Sequence, residues 1–232
     1  MSTWLEFADG WREPLAALGL DSFDALMARD EGKCVSWHTR GQTYSLTVAG
    51  ETVYLKRDSF AAAKDILADL CMGRVPQPPC IVEVEAMRQL AALGIRAPQP
   101  AAWGQRRRLG LPRQAVLIMR QLRGVALSHW LKAPYSPAER LAALGAVARL
   151  AARLYAAGLS WPDVAPKHFF LPEDPASGSV GVLDLARMRP SRLPRRLYMP
   201  KQIGRFCHRL RACGVSEEEV KAFLIAMRPD PV

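Results

Sequence analysis

Three consecutive stretches near the start of the chain alternate hydrophobic and polar residues, which is the period of a β-strand. They cover residues 34–38, 42–48 and 52–57, and Ala49-Gly50-Glu51 lies between the last two. Because glycine adopts positive φ angles readily, this tripeptide predicts a hairpin turn. Three strands in succession predict an antiparallel meander, and residues 115–119 predict a further strand.

Helical periodicity replaces this alternation in two places within the first half of the chain. An alanine-rich piece predicts a helix over residues 60–71, and apolar residues at helical spacing predict another over 81–93. Gly94 follows as a C-terminal stop signal for the second helix. Prolines then interrupt an extended run, and the sequence Gln-Arg-Arg-Arg at 105–108 predicts a charged turn.

Long apolar segments with helical periodicity follow Gly124. Ser136-Pro137-Ala138-Glu139 has the pattern of a capping box with proline at the first helical position, and the helix that it opens ends at Gly158. The apolar residues cover most of the circumference of this helix, which predicts that it is central and buried. A strand is predicted over residues 180–185, and helical structure over 198–227.

This order of elements predicts an α+β protein with two lobes and a cleft between them. We expect a short N-terminal extension over residues 1–31, with one or two helices that dock on the body. A nucleotide-binding lobe with a small antiparallel sheet and one helix follows over residues 32–122. A mainly helical lobe with the catalytic loop completes the chain over residues 123–232.

Composition adds a preference for anionic partners. The chain has 232 residues, with 32 Lys plus Arg against 22 Asp plus Glu, a formal net charge of +10 and a pI near 9.8. This balance excludes an acidic disordered regulator and favours a nucleotide, a nucleic acid, a phosphorylated sugar or a membrane headgroup as partner. The arginines are not interleaved with aromatic residues as in a nucleic-acid-binding module, so no nucleic acid is expected.

Cysteine usage and the N-terminal sequence predict a cytoplasmic protein. The five cysteines form no C-x-x-C pair, so neither a disulfide framework nor a zinc ribbon is expected. The first residues include an early acid and lack the basic-then-apolar layout of a signal peptide. No stretch approaches the about 18 apolar residues of a membrane span.

Lys56 and Glu83 are the first candidates for chemistry. Lys56 ends the third predicted strand, where it is either a solvated edge residue or a lysine that holds phosphate oxygens. Glu83 and Glu85 lie two positions apart on the following helix, so only one of them can turn towards the sheet. A Lys–Glu pair between a third strand and the next helix is the means by which protein-kinase-like folds hold a phosphate-binding lysine.

Two further candidates are acidic and one is a histidine. Asp163 lies in a loop directly after the long buried helix, where a carboxylate can accept or orient a hydroxyl proton. His168 follows five residues later, in the place where kinase catalytic loops usually have an Mg²⁺-binding asparagine. Asp184 ends an apolar strand, and a carboxylate there is costly to bury unless it is paired or binds a metal. Structural roles, such as a turn or a helix cap, remain open for each.

Taken together, these residues resemble the lipopolysaccharide core sugar kinase family, which contains heptose and Kdo kinases and InaA-like proteins. The resemblance spans residues 40–190 and is most specific in Asp163-x4-His168-Phe169, because ordinary kinases have asparagine in place of the histidine. It implies a bilobal protein-kinase-like fold and transfer of the ATP γ-phosphate to a sugar hydroxyl of inner-core lipopolysaccharide, at the cytoplasmic face of the inner membrane.

The resemblance also implies roles for individual residues. Lys56 would hold the α- and β-phosphates of ATP and Glu83 would pair with it, while Asp163 would be the catalytic aspartate. Asp184 would be the main Mg²⁺ ligand and His168 a second residue of the metal site. Adenine would meet backbone groups of the hinge at Met119-Arg120-Gln121-Leu122. Basic residues of both lobes would meet an anionic saccharide and lipid headgroups: Arg106, Arg107, Arg108, Arg187, Arg189, Arg192, Arg195 and Arg196.

Departures from the kinase pattern keep two alternatives open. Trp161-Pro162 stands where His-Arg normally precedes the catalytic aspartate, so the usual arginine that braces the loop is missing. Leu185-Ala186 replaces Phe-Gly, and no G-x-G-x-x-G motif is present to cover the phosphates. These features also suit an InaA-like pseudokinase that acts as a stress-related binding protein. A small-molecule phosphotransferase of the aminoglycoside or choline kinase type is the other alternative.

Overall fold

An antiparallel sheet is the main feature of the first half of the computed structural model, which describes residues 1–30, 32–38, 41–59, 63–172 and 179–228. Its strands are β1 (Ser2–Phe7), β2 (Lys33–His38), β3 (Gly41–Val48), β4 (Glu51–Asp58), β5 (Pro100–Arg108) and β6 (Leu111–Arg120). Their order across the sheet is β1-β5-β6-β4-β3-β2, with every neighbouring pair antiparallel. The predicted meander is therefore present as β2-β3-β4.

The turn between β3 and β4 has the backbone conformation that the sequence predicts. Ala49 and Gly50 have φ angles of 49° and 78°, so both are left-handed. Two consecutive positive φ angles match the right-handed twist of the strands that they join. The resulting register places Lys56 opposite Thr43 on β3 and Leu117 on β6, in the interior of the sheet.

Residues 1–30 contribute a strand to this sheet as well as the expected helices, α1 (Arg12–Ala16) and α2 (Phe23–Ala28). Strand β1 pairs with β5, where a Cβ atom at Gly104 would clash with the carbonyl oxygen of Trp4. Only glycine allows this close approach. Apolar side chains of both helices and the sheet form one core: Leu15, Leu20, Phe23, Leu26, Leu46, Val48, Val53, Leu55, Ala101, Ala102, Val116 and Ile118.

Two helices connect β4 to β5, namely α3 (Ala63–Cys71) and α4 (Pro79–Ala92). Residues 60–62 of the first predicted helix lie outside the described residues. The charged turn predicted at 105–108 is wrong, because these residues continue β5 and the chain reverses at Leu109 and Gly110. Leu109 and Gly110 have the positive φ angles of a tight turn. The arginines before them belong to the strand, where Arg106 donates a hydrogen bond to Thr3 Oγ1 and Arg107 donates to the carbonyl oxygen of Gly110.

The second half of the chain is mainly helical. Its helices are α5 (Leu127–Trp130), α6 (Pro137–Ala156), α7 (Arg195–Ala212) and α8 (Glu217–Ala226), with a short 3-10 helix at Pro166–His168. Short strands accompany them: β7 (Val125–Ala126), β8 (Leu159–Ser160), β9 (Phe169–Leu171), β10 (Gly181–Val182) and β11 (Arg189–Pro190). The predicted capping box at Ser136 and Glu139 is formed, and α6 is the buried helix that the sequence indicates.

Two predictions for this half need correction. The strand predicted over 180–185 is only Gly181–Val182, because Asp184 adopts a left-handed φ of 62° that no strand contains. The helical stretch predicted over 198–227 is two helices, since the chain leaves α7 after Ala212 and a second capping box at Ser216 starts α8.

Contacts divide the chain into two compact units. The first contains residues 1–89 and 98–121, and the second contains 90–97 and 122–232. The described part of the chain is thus mixed α+β, with the antiparallel sheet in the first unit and most of the helices in the second. Whether residues 1–31, 32–122 and 123–232 behave as separate domains stays a prediction.

Candidate active site

Lys56 and Glu83 form an ion pair within the first unit. Lys56 Nζ lies 2.6 Å from Glu83 Oε2, and the glutamate side chain has no exposed surface while the lysine retains 21%. Glu85, two positions further along α4, is exposed. The structure therefore brings Lys56 and Glu83 together, as expected from helix geometry, with one end of the pair buried and the other accessible.

Asp58 explains why α4 begins where it does. Its carboxylate accepts a hydrogen bond of 2.8 Å from the backbone N–H of Cys80, in the first turn of α4. An acidic group at this position satisfies an N–H that has no partner inside the helix. Because Asp58 and Lys56 lie two positions apart on β4, they share one face of the strand. Strand β4 thus contacts α4 twice: Asp58 binds the first turn of the helix, and Lys56 binds Glu83 one turn further on.

Burial raises the pKa of the Cys80 thiol, and the negative charge of Asp58 acts in the same direction. The thiol therefore stays neutral and contributes no negative charge beside Lys56. The Cys80 Sγ atom lies 3.7 Å from the carbonyl oxygen of Lys56, which adds a weak contact between β4 and α4.

The predicted adenine hinge lies at the end of β6. Met119 is buried and pairs with Tyr54 of β4 and Pro100 of β5. The N–H of Gln121 donates to the carbonyl oxygen of Thr52 at 3.1 Å, so this donor already has a partner within the first unit. The contact of adenine with this segment stays a prediction.

Asp163, His168 and Asp184 all belong to the second unit. The Asp163 carboxylate accepts hydrogen bonds from Arg187 Nη1, at 3.1 Å to Oδ1 and 3.4 Å to Oδ2. His168 ends the short 3-10 helix, and its Nε2 lies 3.3 Å from Asp184 Oδ2. The structure therefore gathers the three predicted residues into one region, with Arg187 as a basic neighbour.

The ring of His168 is buried and has an unusual environment. Within the described residues, neither Nδ1 nor Nε2 has a hydrogen-bond partner. Burial lowers the pKa of His168 as the largest effect, although the Asp184 carboxylate acts in the opposite direction. The imidazole is therefore neutral at neutral pH, so that one of its two ring nitrogens carries a lone pair.

Of these two side chains, the Asp184 carboxylate is the type of ligand that an Mg²⁺ ion shared with a nucleotide requires, whereas imidazole is a poorer Mg²⁺ ligand than oxygen. Mg²⁺ is usually bound through one or two carboxylates, with substrate phosphates and water as the other ligands. Asp184 offers a carboxylate with 47% of its side chain exposed, and the His168 Nε2 atom lies 3.3 Å from this carboxylate. Among the described residues, no set of three His, Cys, Asp or Glu side chains forms a metal cage.

Three side chains that sequence reasoning did not assign hold the loop around Asp163. Gln202 of α7 accepts from the backbone N–H of Trp161 at 2.9 Å and donates to Ser160 Oγ at 2.7 Å. Arg209 of the same helix donates to the carbonyl oxygens of Asp163 and Val164, at 3.2 Å and 2.6 Å. The indole N–H of Trp161 donates to the carbonyl oxygen of Asp184 at 3.3 Å.

The arginine expected directly before Asp163 is thus replaced by one that is distant in sequence. Arg209 braces the loop through its backbone carbonyls. A signal for Gln202 was present in the sequence, because it lies between Tyr198 and Phe206 on the buried stripe of α7, where a polar residue needs a partner. Nothing in the sequence indicated which loop α7 would contact.

Comparison with known proteins places this arrangement in a class. Among the solved structures that match, a chain described as "WaaP in complex with acyl carrier protein" has a TM-score of 0.75 at 20% sequence identity, over 97% of this chain and 90% of that chain. The protein therefore has the protein-kinase-like fold. A model of the lipopolysaccharide kinase (Kdo/WaaP) family matches residues 27–226, and the chain belongs to this family. A comparison with curated protein sequences finds no match.

Membership of a kinase family makes the protein a phosphotransferase and implies ATP as the phosphate donor. In the part of the chain that the structure covers, no helix combines the length and the apolar composition that a bilayer span requires.

Proposed function

We propose that the protein transfers the γ-phosphate of ATP, with Mg²⁺, to a sugar hydroxyl of the lipopolysaccharide inner core. The observation that carries this proposal is the Lys56–Glu83 pair, at 2.6 Å with Glu83 fully buried, in a member of a lipopolysaccharide kinase family. A buried carboxylate that holds an accessible ammonium group is suited to a lysine that must contact phosphate oxygens.

Lys56 acts on the α- and β-phosphates of ATP. Its ammonium group has 21% of the side-chain surface exposed, so it can contact a phosphate oxygen while Glu83 fixes its position. A positioned cation stabilises charge that develops during transfer because it needs no reorganisation at that moment. Asp58 supports this arrangement, since it starts α4 at the place from which Glu83 contacts Lys56.

Asp163 orients the acceptor hydroxyl and accepts its proton. Arg209 and Gln202 form hydrogen bonds with the backbone of the loop that carries Asp163. The position of the carboxylate is therefore fixed, while 43% of the Asp163 side chain remains exposed. Fixed geometry is the main source of catalysis in phosphoryl transfer, in which the protein does little covalent chemistry. Arg187 adjoins this carboxylate and is one of the basic residues assigned to the anionic acceptor.

Asp184 and His168 hold Mg²⁺, with Asp184 as the main ligand. When bound, the ion neutralises phosphate charge and orients the γ-phosphate. The support for this assignment is the half-exposed Asp184 carboxylate, with the His168 Nε2 atom 3.3 Å from it.

The acceptor is part of a lipid, and residues 192–197 form a surface suited to an anionic membrane. We call Arg192, Leu193, Pro194, Arg195, Arg196 and Leu197 the basic patch; all six are exposed. No acidic residue occurs between Asp184 and Glu217, so all the charged side chains of this stretch of sequence are basic. Arginine side chains bind anionic lipid headgroups, and the two leucine side chains can enter the interface between headgroups and acyl chains. Both properties support peripheral contact with the cytoplasmic face of the inner membrane.

The test is incubation of the purified protein with γ-labelled ATP, Mg²⁺ and lipopolysaccharide from a strain that lacks this protein. Mass analysis of the core should show one added phosphate on a sugar. Asp163→Asn should lower the rate by roughly 10²–10⁴ because the acceptor hydroxyl loses its orienting base. Asp9→Asn is the matched control, since Asp9 is exposed and has no assigned role.

The same experiment separates the alternatives. Label on the core at equal rates with wild-type protein and Asp163→Asn would overturn the assignment of Asp163. No label, together with no increase in Tm at millimolar MgATP, would favour the pseudokinase, because a ligand that binds the native state raises Tm. Transfer to a small cationic alcohol but not to lipopolysaccharide would favour the small-molecule phosphotransferase.

A further inference from the structure

Trp161 contacts two of the residues assigned to the metal site. Its indole Nε1 donates to the Asp184 carbonyl oxygen at 3.3 Å, and its ring stacks on His168 with centroids 5.8 Å apart at 26°. A second ring next to Trp161 is that of Phe169, with centroids 5.5 Å apart at 48°. Only 2% of Trp161 is exposed, so the indole N–H has to find its partner inside the protein.

The backbone of Asp184 has an uncommon conformation. Its φ angle of 62° is left-handed, a conformation that costs a residue with a side chain roughly 1 kcal/mol or more. A residue held in this conformation persists only where its surroundings determine it. The hydrogen bond from Trp161 acts on the carbonyl of this same residue, so it favours the left-handed conformation and with it the direction of the carboxylate.

The backbone of Trp161 is itself fixed. Its N–H donates to the buried Gln202 side chain at 2.9 Å, which anchors the residue to α7. Trp161 precedes Asp163 by two residues in the same loop. One side chain therefore links the loop of Asp163, the ring of His168 and the backbone of Asp184.

We propose that Trp161 is a positioning residue for the metal site: its indole N–H holds the Asp184 backbone and its ring face holds His168, so that carboxylate and imidazole are presented together to Mg²⁺. This inference rests on the proposed function, since it takes Asp184 and His168 as the metal-binding residues. Because only 2% of Trp161 is exposed, it acts through these two residues and not directly on the nucleotide or the acceptor. Its effect is on the affinity for the ion, because residues that orient metal ligands typically change that affinity by about 10–100-fold.

The experiment measures Mn²⁺ binding in the presence of ADP by electron paramagnetic resonance of the free ion, which needs no turnover. Trp161→Phe keeps a ring that can stack on His168 but removes the N–H donor. Its half-saturating Mn²⁺ concentration should rise about tenfold, while ADP affinity without metal stays at the wild-type value. Trp130→Phe is the matched control, because Trp130 stacks on Tyr135 at 3.8 Å and has no assigned role.

Asp184→Asn separates the two ways in which the inference can fail. Wild-type Mn²⁺ affinity in Trp161→Phe with lost affinity in Asp184→Asn would overturn the role of Trp161 and leave the metal assignment standing. Wild-type affinity in both variants would overturn the metal assignment and the role of Trp161 together.

A measurement on the wild-type protein covers the case in which Trp161→Phe does not fold. The ¹H–¹⁵N resonance of the Trp161 indole should shift when Mg²⁺ is added to the ADP-bound protein, while that of Trp130 stays in place. An unchanged Trp161 resonance at saturating MgADP would overturn the proposal, since its N–H contacts the residue that would bind the ion.

Discussion

Arg209 of α7 braces the Asp163 loop through the backbone: its Nη1 donates to the carbonyl oxygens of Asp163 and Val164. We expect Arg209→Met to lower kcat about tenfold, because one charge-assisted hydrogen bond contributes of this order to the position of the carboxylate. The KM for ATP should change little, since the variant leaves the Lys56–Glu83 pair intact. Steady-state kinetics with varied ATP measure both quantities.

The matched control is Arg205→Met, an exposed arginine one turn earlier on the same helix. It should keep the wild-type kcat. Equal losses in both variants would mean that the basic charge of α7, and not the contact with the loop, supports turnover.

Removal of the lysine of the buried ion pair should affect both turnover and stability. Lys56→Met should lower turnover by roughly 10²–10⁴ because a positioned cation is lost from the phosphates. It also leaves the fully buried carboxylate of Glu83 without its cation at 2.6 Å, so Tm should fall. The double variant Lys56→Met/Glu83→Gln should recover part of the Tm and none of the activity.

Lys64→Met is the control for this pair, as Lys64 is exposed on α3 of the same unit. Thermal denaturation and ATP turnover should both match the wild type. A double variant less stable than Lys56→Met would show that the buried charge is not the cause of the lost stability.

A second ion pair predicts a pH dependence of stability. Arg140 of α6 binds Glu219 of α8 with two hydrogen bonds, Nε to Oε1 at 2.6 Å and Nη2 to Oε2 at 3.1 Å, and both side chains are largely buried. The hydrogen bond from Arg140, opposed by burial, lowers the pKa of Glu219 from its ordinary value of 4.5. The native state therefore favours the charged form of Glu219. The resulting contribution to the free energy of unfolding is complete above the pKa that Glu219 has in the unfolded state, and it is lost as the pH falls through its pKa in the native state.

Glu219→Gln should lower the free energy of unfolding by about 2 kcal/mol at pH 7, and the difference from wild type should shrink below the ordinary pKa of a glutamate. Urea denaturation at pH 7 and pH 3.5 measures both values. The neighbouring exposed Glu218→Gln should have little effect at either pH. A difference that grows on acidification would contradict the assigned direction of the pKa shift.

Charge reversal in the basic patch tests the proposed membrane contact. Arg195→Glu/Arg196→Glu should reduce binding to vesicles with anionic lipid by about tenfold or more, because each arginine near such a surface contributes about 1 kcal/mol. Arg149→Glu/Lys221→Glu makes the same change of net charge at exposed positions of α6 and α8. Equal losses in both double variants, measured by co-sedimentation, would indicate an effect of net charge alone.

Much of the local structure could be predicted from the sequence. Three features depend only on residues that are close together in the sequence: the β2-β3-β4 meander, the turn at Ala49-Gly50 and the capping box that starts α6. Their hydrophobic periodicity and turn residues can therefore be recognised in the sequence. The pattern of motifs also indicated the kinase family, which the family match confirms. The roles assigned to Lys56, Glu83, Asp163, His168 and Asp184 stay predictions.

The amino-acid sequence alone was enough to predict the β2-β3-β4 meander, the helices α4 and α6 and a short set of candidate residues, because periodicity, caps and motif spacing are local properties. Only the tertiary structure decided how those residues are held. Trp161 contacts Asp184, and Arg209 of α7 contacts the loop of Asp163, through backbone carbonyls. Such bonds leave no trace in the residue type of the acceptor, since every residue carries a carbonyl group. Which carbonyl accepts is decided by packing between segments that are distant in the chain.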